Sequence, residues 1–511
     1  MMENDNLYAL LRSAFAARMD APCLVTSGRT WTYREIDALS DRYSAALVGA
    51  GASPGDRITV QVEKSPEAVA LYLACLRAGA IFVPLNTAYT PAEISYFLSD
   101  STPRIFICRP QDAGVHAKAA AAIGARLLTL GAAGEGTLPD AAVVSSAAGT
   151  IILSGPDDLA VIIYTSGTTG RSKGAMLTHH NLTSNARTLY AYWGWRSDDV
   201  LLHALPIFHV HGLFVALHTA MLGGSPMVFL PKFDVAAVRA ALPRVTVMMG
   251  VPTFYTRLLE QSDFGAAEYA HMRLIISGSA PLTAIAHREF EACSGHAILE
   301  RYGMSEAGMI ASNPLDGARV AGSVGYPLPG ISVRVRDEKG RTVTDEVGMV
   351  EVKGPNVFKG YWRMPEKTAE DFTADGYFIT GDLGEQAADG RLTLVGRGKD
   401  LIISGGSNIY PKEIESVLDG IEGVAESAVI GVPHPDFGEG VVAVVATANG
   451  APLDEAKIRA VLDRELARFK HPKAIFAVKD LPRNAMGKVQ KNLLRDEYKN
   501  TFVRTQARGA G

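Results

Sequence analysis

Short apolar runs alternate with amphipathic stretches through most of the chain. The runs have the length and composition of buried β-strands, and several of the stretches between them carry the periodicity of helices. The predicted strands cover residues 57–62, 80–84, 104–108, 159–164, 227–230, 245–249 and 274–277, and the predicted helices cover residues 65–78 and 92–99. This alternation is typical of layered α/β folds with largely parallel sheets.

The pattern changes later in the chain. A period of two over residues 323–353 predicts antiparallel hairpins, which we interpret as a β subdomain. A smaller α+β unit begins at residue 401. Its predicted strands cover residues 401–404, 425–431, 441–448 and 474–478, and its predicted helices cover residues 411–418 and 453–466. We therefore predict a large N-terminal domain over residues 1–396 and a small C-terminal domain over residues 401–511.

Residues 200–231 contain no Asp, Glu, Lys or Arg, and their length would suffice for a membrane span. The stretch also contains four histidines, several prolines and a Gly-Gly pair, which are poor neighbours for lipid. We predict a buried helix over residues 212–222 followed by a strand over residues 226–230. The first residues lack the basic start and apolar run of a signal peptide. We expect no membrane association.

The charge balance excludes some partners. The chain has 50 Lys and Arg against 54 Asp and Glu, a formal net charge of −4, so we expect no general attraction to nucleic acid or anionic lipid. The four cysteines are too dispersed for a disulfide scaffold or a CxxC metal pair; they are Cys23, Cys75, Cys108 and Cys293. These features favour a reduced, cytoplasmic enzyme with small-molecule substrates.

A loop rich in glycine and hydroxyl residues follows the predicted strand at residues 159–164. Glycines allow the backbone to approach an anion, hydroxyl groups add donors, and a lysine adds charge. We predict that this loop binds phosphate through Thr165, Ser166, Gly167, Thr168, Thr169, Gly170 and Lys173. It is not a Walker loop, because Ser172 stands where that motif needs glycine. No GxGxxG occurs, and the GxSxG match at residues 51–55 contains Pro54, which has no N–H for an oxyanion.

The loop sequence YTSGTTGRSKG resembles the signature of the adenylate-forming superfamily, which includes acyl-CoA synthetases, peptide-synthetase adenylation domains and luciferases. Further motifs of that superfamily follow in its order at residues 301–306, 377–382, 396–400 and 482–488. In the first of them, Ser305 stands where Thr is common, which keeps the hydroxyl group. The resemblance implies that a carboxylate attacks ATP to give an acyl-adenylate and pyrophosphate. A thiol, usually that of coenzyme A, then displaces AMP.

The resemblance also implies roles for individual residues. Glu306 matches the Mg²⁺ ligand, Ser305 the partner of the α-phosphate, Asp382 the acceptor for the ribose hydroxyls, and Arg397 a nearby positive charge. The residues expected around adenine and its phosphates also include Ser279, Ala280, Pro281, Glu300, Tyr302, Gly303 and Met304. The first half-reaction brings two anions together, so we expect positive charge and positioning to supply most of the catalysis.

Lys488 matches the catalytic lysine of the superfamily, and it lies in the small C-terminal domain. It would bridge the attacking carboxylate and the α-phosphate as a point charge when that mobile domain closes. Lys399 matches the hinge, which we place at residues 397–400, and rotation there would bring Gly405 and Gly406 to the path of coenzyme A. Acetylation would remove the charge of Lys488, so a lysine acetyltransferase is an expected regulatory partner.

The acid is indicated by Arg301, which precedes the Tyr-Gly pair beside the acyl pocket. A buried guanidinium needs a partner, and a second substrate carboxylate would supply one. Together with His209 and Ser277, Arg301 predicts a small, polar pocket. The chain as a whole is similar to malonyl-CoA synthetases. Malonate is the predicted acid and methylmalonate a second one. An alternative is that Arg301 turns outward or pairs with Glu300.

Other functions stay open at this stage. They are acyl-CoA ligation of another small acid, loading of a carrier-protein thiol, and ATP sensing without catalysis. His209 and His211 would share one face of a strand, but no third ligand nearby completes a metal site, and substrate or core roles are commoner.

Overall fold

The computed structural model describes residues 4–145, 150–165, 172–261, 263–404, 407–435, 437–447, 452–466, 468–484 and 487–502. The predicted α/β fold, with a large N-terminal part, a β subdomain and a small α+β C-terminal part, is confirmed. Three sheets build the N-terminal part and a fourth builds the C-terminal part.

The first part of the chain builds a mostly parallel sheet. Its strands are β3 (Arg57–Gln61), β4 (Ile81–Pro84), β5 (Ile105–Cys108), β6 (Arg126–Thr129), β7 (Leu159–Thr165) and β8 (Lys173–Thr178). Two short strands that precede them in the chain, β1 (Pro22–Val25) and β2 (Thr30–Thr32), belong to the nine-stranded sheet described below. The helices are α1 (Leu7–Phe15), α2 (Tyr33–Gly49), α3 (Pro66–Arg77), α4 (Pro91–Ser101), α5 (Ala113–Ala122) and α6 (Thr137–Val144). The sheet has the order β6-β5-β3-β4-β7-β8, and β8 pairs antiparallel with β7. Strand β8 is not among the predicted strands, and its first residue, Lys173, is one of the residues predicted for the phosphate loop.

Local capping explains where helices α2, α3 and α4 begin. Thr32 and Thr90 form capping boxes with Glu35 and Glu93, and Ser65 caps α3, which has proline at its first turn. Each cap stabilises its helix by about 1 kcal/mol. The helix predicted over residues 65–78 is therefore confirmed to within a residue at each end.

The middle of the chain builds a nine-stranded sheet of order β15-β14-β13-β12-β11-β9-β10-β1-β2. Its further strands are β9 (Leu201–His203), β10 (Met227–Phe229), β11 (Val247–Gly250), β12 (Leu274–Ser277), β13 (Leu299–Met304), β14 (Gly308–Ser312) and β15 (Tyr326–Pro327). The helices are α7 (His179–Tyr192), α8 (His218–Leu222), α9 (Val235–Ala241), α10 (Pro252–Leu259) and α11 (Ala284–Ser294). Strands β9 to β13 run parallel, as expected for largely parallel sheets; β10, β11 and β12 match predicted strands, whereas β9 and β13 match none.

The uncharged stretch at residues 200–231 is buried within the protein. A π-helix, His211–Leu217, continues into α8, and β10 follows, so the predicted helix and strand are confirmed. Among the residues that the structure describes, no helix is long and apolar enough to cross a membrane. The strand expected to carry His209 and His211 is wrong: His209 lies in a turn and His211 begins the π-helix.

The β subdomain is an antiparallel sheet of order β17-β16-β18-β19-β20, as the period of two predicts. Its elements are β16 (Ser332–Arg336), β17 (Thr342–Val343), β18 (Val347–Lys353), α12 (Pro365–Glu370), β19 (Phe378–Gln386) and β20 (Leu392–Arg397). Strands β19 and β20 end at the cleft described below.

The C-terminal part has a sheet of order β22-β21-β24-β23, with β25 parallel to β24. Its elements are β21 (Ile402–Ser404), β22 (Ser407–Ile409), α13 (Pro411–Leu418), β23 (Val424–His434), β24 (Gly438–Thr447), α14 (Glu455–Glu465), β25 (Ala474–Val478) and α15 (Lys491–Tyr498). Apolar side chains on the two faces of β23 and β24 form their own clusters, separate from the core between the large sheets. Sequence analysis missed α15.

Candidate active site

A cleft of about 3070 Å³ opens where the nine-stranded sheet, the β subdomain and the C-terminal part meet. Most of the described residues that the sequence predicts for the site line this cleft; they are Thr165, Lys173, His209, Ser277, Ser279, Ala280, Pro281, Glu300, Arg301, Tyr302, Gly303, Met304, Ser305, Glu306, Asp382, Arg397, Lys399 and Lys488. Ser166, Gly167, Thr168, Thr169, Gly170, Gly405 and Gly406 lie outside the described residues.

Tyr302, Asp382 and Arg397 form one contact group, drawn from β13, β19 and β20. The Tyr302 hydroxyl donates to Asp382, and Arg397 Nε lies 2.7 Å from the Asp382 carboxylate. Burial raises the pKa of Asp382 above its usual value, and the charge of Arg397 opposes that shift. We call these three residues the nucleotide group; their charges are balanced by one another.

Glu306 and Lys173 lie beside this group. Glu306 is buried and accepts a hydrogen bond from the Tyr361 hydroxyl at 3.3 Å. Burial raises the pKa of Glu306, whereas the nearby charges of Arg397 and Lys173 lower it. Lys173 Nζ lies 4.0 Å over the Tyr361 ring and 3.8 Å from the Asp371 carboxylate. A positive and a negative group therefore converge where the β7–β8 hairpin meets the β subdomain.

Ser279 occupies a left-handed backbone conformation, with φ of 73°, that is unusual for a residue other than glycine. Its hydroxyl lies 3.2 Å from His211 Nδ1, at the start of the π-helix. Such strained residues cluster at ligand-binding positions because the surrounding structure holds them there. This contact links the loop at residues 279–281, predicted to lie along adenine, to the pocket around Arg301 that is described next.

Arg301 forms the centre of that pocket. It is 4% exposed, and its guanidinium lies so close to Gly278 that a Cβ there would meet Arg301 Cζ at 2.4 Å. Arg301 does not pair with Glu300, which contacts His287 at 2.9 Å and accepts from the Gly322 N–H at 3.2 Å. The structure therefore contradicts both alternatives for Arg301, the outward side chain and the pair with Glu300.

Several buried polar atoms in this pocket have no hydrogen-bond partner among the described residues. They are Arg301 Nε and Nη2, Ser277 Oγ, His209 Nε2 and His211 Nε2, and we call these four residues the acid group. Burial lowers the pKa of Arg301 to about 9, so it stays charged at neutral pH. Burial and the charge of Lys488 lower the pKa of His209 to about 3, so its ring is neutral. Donor groups with no acceptor, one of them charged, suit an anionic ligand.

Lys488 reaches the same cleft from a tight turn. The Lys488 N–H donates to Asn484 Oδ1 at 3.0 Å, and Gly487, with φ of 73°, lies against Thr253 of α10. The side chain remains open to the solvent of the cleft, although the surrounding walls and Arg397 lower the pKa of Lys488. Asp382, Glu306 and Arg301 also act on that pKa, which places Lys488 between the nucleotide and acid groups.

Gly278 and Tyr361 were not predicted for the site, and His211 was not predicted to line the acid pocket. Tyr361 and Gly278 carry no recognisable motif, and their roles arise from contacts between distant parts of the chain. His211 was considered for metal binding. Among the described residues no group of three or more His, Cys, Asp and Glu is arranged to hold a metal ion.

Comparison with known proteins decides the family. The sequence model of the AMP-binding enzyme family matches residues 11–362, and that of its C-terminal domain matches residues 413–488. The chain belongs to the AMP-binding enzyme family. It is an ATP-dependent acyl-CoA ligase that acts through an acyl-adenylate, so the predicted enzyme class and the use of ATP and coenzyme A are confirmed.

Three relatives of this AMP-binding enzyme show how wide the family is. The crystal structure of ATP-bound MatB from Rhodopseudomonas palustris is 54% identical with a TM-score of 0.95, and the match covers 98% of this chain and 100% of that one. The malonate–CoA ligase of Arabidopsis thaliana is 34% identical, over 98% of this chain and 90% of its own length. The feruloyl-CoA synthase of an Amycolatopsis species is 38% identical, over 92% of this chain and 94% of its own length. Relatives at similar identity bear names of different acids, so membership of the family does not by itself identify the acid.

Proposed function

We propose that this AMP-binding enzyme joins malonate to coenzyme A, with methylmalonate as a second acid. The observation that supports this is the buried guanidinium of Arg301, which has no acceptor for Nε and Nη2 among the described side chains. A carboxylate at the far end of a short diacid would accept from both nitrogens, while its other carboxylate faces the nucleotide group. The relatives named for malonate support the same choice.

In the first half-reaction, the near carboxylate attacks the α-phosphorus of ATP and pyrophosphate leaves. Lys488 and Arg397 would offset the charge that accumulates on the reacting oxygens, and the Ser305 hydroxyl would donate to the α-phosphate. Asp382 would accept from the ribose hydroxyls, with Tyr302 against one face of adenine and Ser279–Pro281 against the other. In the second half-reaction, the thiol of coenzyme A displaces AMP.

Glu306 is the residue that fits a Mg²⁺ ligand. It is a hard oxygen donor, the type that this ion prefers. It is also buried with a raised pKa, so a divalent cation beside it would restore the ionised carboxylate. Bound there, the metal would supply charge neutralisation for the ATP phosphates. His209 lines the same cleft, and we propose that it orients the acid rather than a metal.

Lys399 is proposed as the hinge between a large domain over residues 1–396 and a small domain over residues 401–511. It lies in the short helical turn Gly398–Asp400, directly after β20. Its side chain is exposed at the cleft, and partial desolvation together with the charges of Arg397 and Arg495 lowers the pKa of Lys399. Rotation there would withdraw Lys488 and bring Gly405 and Gly406 toward the thiol path.

The location of the enzyme and its regulation belong to the same proposal. We place it in the cytoplasm, with a lysine acetyltransferase acting on Lys488. That side chain is more than a third exposed at the mouth of the cleft, so a modifying enzyme could reach it. Acetylation would remove its charge and with it adenylation.

A screen of pyrophosphate release tests the proposal. Malonate, methylmalonate, succinate, acetate and ferulate are compared as substrates of the wild type and of Arg301→Ala. We expect turnover of malonate above all others and its loss in the variant. Turnover of acetate or ferulate with malonate inert would contradict the proposal. Comparing free coenzyme A with a carrier-protein thiol distinguishes acyl-CoA ligation from carrier loading.

A further inference from the structure

Lys64 joins the two large sheets behind the acid group. It follows β3 of the six-stranded sheet, and its ammonium donates to carbonyls at the ends of two strands of the other sheet. These contacts are with the His203 carbonyl at 2.8 Å and the Leu230 carbonyl at 2.7 Å. The third contact of the ammonium is with His203 Nδ1, at 2.9 Å. Lys64 therefore fastens β9 and β10 to the segment that follows the carboxyl end of β3 in the neighbouring sheet.

The cation has neutral partners. Its Nζ lies 4.2 Å over the Phe229 ring, and within the described ranges no carboxylate makes a salt bridge with it. Desolvation lowers the pKa of Lys64 well below its usual value. Lys64 is partly buried, and a cation withdrawn from water is costly unless its protons are bound, so the acceptors around Lys64 matter to the fold.

The partners fix the protonation of His203. Its Nε2 lies 2.9 Å from the Gly212 carbonyl, which can only accept, so Nε2 must carry a proton. Two protons of Lys64 go to the carbonyls of His203 and Leu230, which leaves one proton for the contact between Nζ and Nδ1. Whichever nitrogen holds it, the Lys64–His203 pair carries one positive charge and every hydrogen bond is made.

At its other end, the Lys64–His203 pair contacts Gly212, which lies in the wall of the acid pocket. Gly212 is the second residue of the π-helix, directly after His211, whose Nδ1 contacts Ser279. Gly212 also packs so closely on the Pro206 carbonyl that a Cβ there would lie 2.0 Å from it. Holding Gly212 therefore fixes the wall from Pro206 to His211, which lines the cleft on one side. On its other side is a second cavity of about 220 Å³, lined by Lys64.

We propose that Lys64 is a positioning residue for the acid pocket: through His203 it holds Gly212, and thereby sets His209 and His211 beside Arg301. It touches no reacting group itself. The proposal takes the acid from the proposed function, but the contacts that carry it do not depend on which acid is bound. Placement errors of about 1 Å in such a wall are enough to weaken catalysis strongly.

The test compares Lys64→Met with Lys232→Met. Lys232 lines the same second cavity but is exposed, so it is a matched control. We expect Lys64→Met to raise the KM for malonate about tenfold. The KM for ATP should rise by less, within about threefold, because the nucleotide group lies on other strands and His211 reaches the adenine loop through its contact with Ser279. Lys232→Met should leave both constants unchanged. A lower melting temperature with both KM values unchanged would mean a purely structural role and would overturn the proposal.

His203→Asn separates positioning from the connection between the sheets, and serves if Lys64→Met does not fold. Its side-chain oxygen can still accept from Lys64, but the shorter side chain cannot reach Gly212. We expect the same rise in the KM for malonate. An unchanged KM would contradict the proposal that Lys64 acts on the pocket through His203 and Gly212. NMR of ¹⁵N-histidine-labelled wild-type enzyme needs no substrate. The resonance lost in His203→Asn should be that of a ring protonated at Nε2, and a ring with bare Nε2 would also overturn the proposal.

Discussion

The nucleotide group and the acid group lie in one cleft but balance their charges differently. Tyr302, Asp382 and Arg397 hold one another by hydrogen bonds and an ion pair, so this half is satisfied by the protein alone. In the acid group, by contrast, buried donors of Arg301, Ser277 and His209 have no acceptor among the described residues. The nucleotide group is preorganised, whereas the acid group carries a positive charge that no described side chain balances.

This difference indicates where selectivity arises. A preorganised group can receive the same nucleotide whichever acid is present, because its geometry does not depend on the acid. An enclosed guanidinium without a partner strongly favours ligands that bring a second negative charge, and disfavours those that leave it unpaired. We therefore expect changes in the nucleotide group to affect all acids alike, and changes in the acid group to alter the choice of acid.

The largest effect should come from Lys488→Ala, because Lys488 lies between the two groups. Removing this charge should reduce adenylation by roughly 10²–10³-fold, the scale of one interaction with the transition state. Thioester formation from supplied malonyl-AMP should largely survive, since it needs no attack on ATP. Pyrophosphate release and malonyl-CoA formation are measured separately.

Lys479→Ala is the control for that prediction. Lys479 is an exposed lysine of the C-terminal part that lines the same cleft, and its loss should leave adenylation nearly unchanged. Equal loss of both half-reactions in Lys488→Ala would contradict the role assigned to this lysine.

Arg301→Met should have the next largest effect, because it removes the unbalanced charge and keeps an apolar stem. We expect kcat/KM for malonate to fall by about 10²-fold, the scale of one close charge pair, while the KM for ATP stays within about twofold. The preference for malonate over acetate should fall by a similar factor. The control is Arg257→Met, an exposed arginine that lines the cleft. A parallel loss for acetate and malonate would show that Arg301 does not read the second carboxylate.

Gly278→Ala tests whether the backbone positions that guanidinium. The added Cβ would lie 2.4 Å from Arg301 Cζ, so the guanidinium must shift. We expect the KM for malonate to rise about tenfold, less than on losing the charge, with little change for ATP. Gly265→Ala is the matched control, since a Cβ there meets nothing within 4 Å. Equal kinetics in the two alanine variants would remove Gly278 from the acid pocket.

The sequence predicts the fold better than the acid group. Strands such as β3 and β12 are recognisable because buried parallel strands are short apolar runs, and α3 because Ser65 and Pro66 mark its start. The residues of the nucleotide group lie within motifs, so their meeting in one cleft could be anticipated from resemblance. Their roles there stay predictions until variants are measured.

The remaining features depend on contacts between distant segments, which no local pattern records. The approach of Arg301 to Gly278 joins β13 to the residue that follows β12, and the contacts of Lys64 join two sheets. The π-helix was predicted as an ordinary helix, because one extra residue in a turn leaves the apolar pattern nearly unchanged. The assignment of His209 and His211 to a strand failed for the related reason that alternate spacing also occurs in a turn that enters a helix.

The smallest expected effect is a shift in pH dependence, and it measures how the two groups act on Lys488. Enclosure by the cleft and the charges of Arg397 and Arg301 lower the pKa of Lys488, while Asp382 and Glu306 raise it, with a net lowering. The charged form is therefore lost as pH rises through a value below the ordinary 10.5, and kcat/KM for adenylation should decline there. Lys488→Arg should keep whatever activity it has to higher pH, because a guanidinium has a higher pKa than an ammonium in the same surroundings. Arg301→Met should move the decline to slightly higher pH, since one of the two arginine charges is gone. An identical alkaline decline in the wild type and in both variants would mean that another group titrates, and that the acid group does not act on Lys488.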